Sequence, residues 1–147
     1  MKLQKQLYRH QPDQGIYGDC GRTVIACLLD LDPKDVPHEH REMSSGEQEL
    51  LHNSFLEERG FIRISIPIGC ETVDEALFAG NHYSCGMPYI LLGTSRNGVC
   101  HVVICQRDQV IWDPSLDDSG IVGPTNGYFW LEWIVKPLQD TTAEGSA

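Results

Sequence analysis

Val99-Cys100-His101-Val102-Val103-Ile104-Cys105-Gln106-Arg107-Asp108-Gln109-Val110-Ile111-Trp112-Asp113-Pro114 is the stretch whose reading decides the fold. Val99–Cys105 is a run rich in valine and isoleucine, as a central strand would be, and His101 interrupts it. Gln106–Asp108 reads as a tight turn and Gln109–Asp113 as a returning strand. Pairing across that turn sets the start of the first strand beside the end of the second. His101 and Asp113 then become neighbours, with His101 on the face opposite Val102 and Ile104.

The pattern extends in both directions. Upstream, Tyr89–Gly93 is apolar and Asn97-Gly98 is a strong hairpin signal. Downstream, Tyr128–Val135 is an apolar-aromatic stretch expected as a last strand, closed by Pro137. The first half is mainly helical. Asp19 is placed to cap a helix over Cys20–Leu31, with Val24, Ile25, Leu28 and Leu31 on one stripe. Asp32-Pro33 starts a short helical turn that Val36-Pro37 ends. Residues 45–59 form a second helix, with Ser45 and Gln48 at capping-box spacing and Gly60 as the C-terminal cap. Phe61–Ile66 alternates as a strand, and Thr72 with Glu75 opens a third, short helix expected to end near Gly80. Helices first and antiparallel hairpins second is the order of an α+β fold.

The 147 residues correspond to one domain, expected over 1–138, with a small polar tail at 139–147 expected to be disordered. Asp and Glu outnumber Lys and Arg by 21 to 11, a formal charge of −10. Such a surface repels phosphate backbones and anionic lipid, so neither nucleic acid nor a membrane is expected as a partner. No stretch has the 18 or so consecutive apolar residues of a membrane span, and no secretory pattern is read at the start. The expected compartment is the cytoplasm.

Six cysteines, at 20, 27, 70, 85, 100 and 105, are too sparse for a disulfide scaffold and contain no Cys-x-x-Cys. Cys27, Cys100 and Cys105 lie in apolar runs and read as small core residues. Cys20 differs. At the first turn of a helix, free N–H groups and the positive end of the dipole favour a thiolate, the nucleophilic form. Gly18 and its neighbours let a substrate approach the backbone closely. An aspartate on one nitrogen of His101 would fix its tautomer and raise the basicity of the other, which is what a cysteine nucleophile needs. Gln14, six residues before Cys20, could donate its amide to a developing oxyanion beside the Cys20 N–H.

Gln14-x4-Asp19-Cys20-Gly21, then His101-Val102-Val103, then Asp113-Pro114 is similar to the bacteriocin-processing (double-glycine leader) peptidases, and more broadly resembles the papain-like cysteine peptidase superfamily. The resemblance implies helices with the nucleophile at a helix start, packed on a C-terminal antiparallel sheet. It implies Cys20, His101, Asp113 and Gln14 as catalytic residues, in the family's chain order. A peptide or protein substrate is implied, contacted by Gly18, Asp19 and Trp112, and segment 37–98 is expected to shape the cleft. No cofactor or metal is called for. His38-Glu39-His40 with Glu42 reads as a solvated patch, and Asp117-Asp118 as a turn. Two other readings stand beside hydrolysis: acyl transfer of the transglutaminase kind by the same nucleophile, and an inactive binding module on the same scaffold, since fold alone does not establish catalysis.

Overall fold

The computed structural model describes residues 1–38 and 43–138. It has an α+β fold of three helices and a five-stranded antiparallel sheet. The helices are α1 (Cys20–Leu29), α2 (Ser45–Glu58) and α3 (Val73–Ser84). The strands are β1 (Ile62–Ile68), β2 (Tyr89–Thr94), β3 (Cys100–Gln106), β4 (Gln109–Trp112) and β5 (Phe129–Val135), ordered β1-β5-β2-β3-β4. The last strand therefore inserts between β1 and β2, joining the middle of the chain to its end. Among the described residues no helix is long and apolar enough to cross a membrane.

The alternation of the central strands builds two cores. Val102 and Ile104 of β3 join Ile90 of β2 under Val24 and Cys27 of α1. Val103 and Cys105 point the other way, with Tyr89, Leu91, Phe129, Leu131 and Trp133, under Ala76 and Leu77 of α3. A third cluster, Ile25, Ala26, Val36, Phe55 and Leu56, binds α2 to the back of α1. The sheet is thus covered on both faces, rather than carrying helices on one side alone.

Several boundaries differ from the sequence pattern for identifiable reasons. The capping box of α2 is Ser44 with Glu47, whose N–H donates to Ser44 Oγ at 3.2 Å. The neighbouring Ser45–Gln48 pair has the same spacing, one residue late. α1 stops at Leu29 because Asp30 turns left-handed at φ 57°. β1 continues through Pro67, which an edge strand tolerates. α3 runs four residues past Gly80 to Ser84. A side chain at Gly80 would overlap the Tyr89 ring, so this glycine serves packing, and the helix ends instead at Cys85, φ 51°, and Gly86, φ 84°. Gly80→Ala is expected to destabilise by about 1–3 kcal/mol, seen as a lower midpoint of thermal unfolding. Cys27 and Cys105 are buried as expected, but Cys100 is exposed because it begins its strand at the sheet's end. The 139–147 tail and residues 39–42 of the His38–Glu42 patch lie outside the described residues.

Candidate active site

The site begins at the N-terminus of α1. Asp19 occupies the cap position, yet its side chain does not cap the helix. The carboxylate is turned away, accepting Leu7 N–H at 3.1 Å, Tyr8 N–H at 2.9 Å and Arg22 Nε–H at 3.0 Å. The first bond of the helix is Thr23 N–H to Asp19 O. The amides of Cys20, Gly21 and Arg22 precede it and have no acceptor within the helix. Asp19, expected to contact substrate, is instead 1% exposed and committed to this internal network. Asp19→Ala leaves Arg22 buried without its carboxylate and is expected to cost about 3–5 kcal/mol, measured by urea unfolding.

Cys20 is partly buried against the α1-side core, and it is one of the groups that raise the His101 ring. His101, at the start of β3 and 5% exposed, donates Nε2–H to Asp113 Oδ1 at 2.7 Å. That leaves Nδ1 as the ring's acceptor. The expected His101–Asp113 neighbourhood is therefore present. Asp113 follows β4 directly and is itself held from three directions. Ser115 N–H donates to Oδ1 at 2.9 Å and Gly120 N–H to Oδ2 at 2.8 Å. The Ser119 N–H bond to Ser115 Oγ, at 2.9 Å, closes the same loop.

The electrostatics follow from these contacts. Burial disfavours a charged His101 ring, but hydrogen bonds and charge from Asp113 and Cys20 outweigh it and lift the ring to about 9. Burial would also raise the Asp113 carboxyl, but the His101 ring and the Ser115 and Gly120 groups outweigh it and hold it well below the usual carboxylate range. A second histidine lies close by. His52 of α2 stands against Gly21, where an added Cβ would come within 3.2 Å of its Cε1. Burial first, then the charge of Arg63, push His52 down to about 4, so it is neutral and donates Nε2–H to Pro37 O at 3.2 Å. The two imidazoles are driven apart, and His101 is the one built to hold a proton. His52 left no sequence signal, because it sits in a polar helix with no partner nearby in the chain.

The other expected site residues have the following surroundings. Gln14 ends an exposed 3-10 turn at Pro12–Gln14, and among the described residues its side-chain amide makes no hydrogen bond. Gly18 donates its N–H to His10 Nδ1 at 3.1 Å. Trp112 is half-buried, its indole N–H given to Gln4 O at 2.7 Å and Lys5 Nζ lying 4.8 Å from its ring centre. Phe129 and Trp133 are core, Trp130 is half-buried and Tyr128 exposed. His38 is stacked on Tyr8 with ring centres 5.9 Å apart. No group of three or more His, Cys, Asp or Glu placed to hold a metal occurs among the described residues. An apolar groove is lined by Leu28, Leu29, Leu31 and Phe61. It lies at the opposite end of α1, roughly 15 Å along the helix from Cys20, and contains none of the site residues. No family model, curated protein or solved structure matches this chain.

Proposed function

We propose that this protein is a cysteine peptidase or related amide hydrolase of papain-like architecture, acting through Cys20, His101 and Asp113. One observation carries the reading: Cys20, at the uncapped start of α1, helps to raise an imidazole that is bound through Nε2 to a partly buried carboxylate. His101 Nδ1 takes the thiol proton and Cys20 Sγ attacks the acyl carbon. The oxyanion is met by the free Cys20 N–H, with Gln14 as the second donor. The imidazolium then protonates the leaving amine, which departs and leaves a thioester on Cys20. Water, deprotonated by His101, attacks the thioester, and Sγ leaves as the acid product forms. Asp113 keeps the ring oriented throughout.

The test is a mixed peptide library incubated with the protein and read by mass spectrometry. Cleavage is expected in the wild type, with a drop of about 10⁴-fold or more in Cys20→Ala at an unchanged unfolding midpoint. Products heavier by an added amine, in place of cleavage, would assign transfer. Equal cleavage by Cys20→Ala would exclude the mechanism.

A further inference from the structure

The segment before residue 9 shows none of the periodic patterning that would mark a helix or a strand, yet it is bonded along its length. Lys2 N–H donates to Cys27 O at 3.0 Å, and Gln4 Nε2 donates to Leu31 O at 2.7 Å. These fasten it to the far end of α1, while Leu7 and Tyr8 fasten it to Asp19 at the near end. On its other side it meets the acid loop. Trp112 Nε1–H donates to Gln4 O, and Gln6 N–H donates to Pro114 O at 2.8 Å. Lys5 makes the densest contact. Its ammonium donates to Asp113 O and Ser115 O, both at 2.9 Å, and to Asp118 Oδ1 at 2.8 Å, lying over the Trp112 ring.

We infer that residues 2–8 are a strap that sets the distance between the nucleophile helix and the acid loop, with Lys5 as a positioning residue for Asp113. This rests on the Cys20–His101–Asp113 reading above. The chemistry is specific to an ammonium. Three acceptors converge on one point from a loop whose own amides are turned inward onto the Asp113 carboxylate. A Lys supplies three donors and a charge, which neither carbonyl can obtain elsewhere in the loop. Asp113 reaches His101 only while the Ser115 and Gly120 amides hold its two oxygens, and Lys5 grips the carbonyls of that same turn from behind. The strap also links the loop to Asp19, the residue before the nucleophile. One short segment therefore couples both halves of the site.

The experiment is Lys5→Met, which keeps the stem over Trp112 and removes the three bonds, compared with Lys34→Met as a control of equal charge. Two readouts are taken on the whole protein. Hydrogen exchange of the Ser115 and Gly120 amides is expected to quicken tenfold or more in Lys5→Met alone. Iodoacetamide alkylation of Cys20 at pH 6 is expected to slow about tenfold, with its pH profile displaced toward that of an ordinary thiol. Asp118→Ala, which removes one of the three bonds at an exposed partner, should show both changes in smaller degree and remains informative should Lys5→Met fail to fold. A lower unfolding midpoint with unchanged loop exchange and an unchanged Cys20 profile would overturn the inference, leaving Lys5 merely structural. Should wild-type Cys20 react no faster than the exposed Cys85, the peptidase reading falls, while the loop amides still decide whether the strap holds Asp113.

Discussion

His101→Ala is expected to slow alkylation of Cys20 at pH 6 by about a hundredfold while leaving the other five cysteines unchanged. An ordinary thiol of pKa about 8.5 is less than about one per cent thiolate at that pH. A neighbouring imidazole that takes up the proton makes a thiol reactive at a pH where an ordinary one is not. Part of the gain is returned because a more stable thiolate is a weaker nucleophile, which sets the factor near a hundred rather than several hundred. The structural basis is the ring lifted to about 9 between Asp113 and Cys20. The buried Cys27 and Cys105 serve as internal controls, since burial pushes Cys105 up to about 12 and raises Cys27 as well. Peptide mass spectrometry of the alkylated protein reads all six sites in one sample. An equal Cys20 rate in His101→Ala would mean that the ring does not share the thiol's proton.

Asp113→Asn is expected to lower stability by about 2–4 kcal/mol near pH 7. The carboxylate accepts from His101, Ser115 and Gly120 at once. An amide can present only one oxygen to those three donors, so at least one buried N–H faces an NH₂ group. The pH dependence identifies the cause. In the wild type the ring is raised, so its contribution is complete below about 6.5 and is lost as pH climbs through about 9. The Asp113 carboxyl is lowered, so its contribution is present above about 3.9 and fades as pH falls below that. The variant lacks the carboxyl slope and keeps only the part of the ring's slope that Cys20 supplies. The gap between wild type and Asp113→Asn should therefore be widest from pH 5 to 6.5 and narrow on either side. Urea unfolding between pH 3 and 10 measures it. A gap independent of pH would show that Asp113 supports the loop without charging the ring.

The hairpins and the His101–Asp113 contact were legible because they depend on local pairing: a valine-rich run, a tight turn and a return of fixed length. Cys20 was legible through its place at a helix start. What escaped reading depends on neighbours far along the chain. Gly80 looks like a helix end until the Tyr89 ring is seen to need its space. Asp19 has the residue type of a cap, but Leu7, Tyr8 and Arg22 claim its carboxylate. Position cannot reveal that competition. Lys5 and Asp113 are 108 residues apart, and no periodicity records an ammonium held by two carbonyls. β5 inserting between β1 and β2 is likewise a long-range choice that single-strand patterns do not encode. Gln14 takes its proposed role from chain order alone, and its side chain is exposed.

The most direct measurement is the titration of the His101 ring by NMR in the wild type and in Cys20→Ala. If Cys20 and His101 share a proton, the wild-type ring titrates near 9 and falls when the thiol is removed, the remainder being the contribution of Asp113. A ring that titrates near 6.5 in the wild type, or at the same pH in both proteins, would contradict a coupled nucleophile and general base.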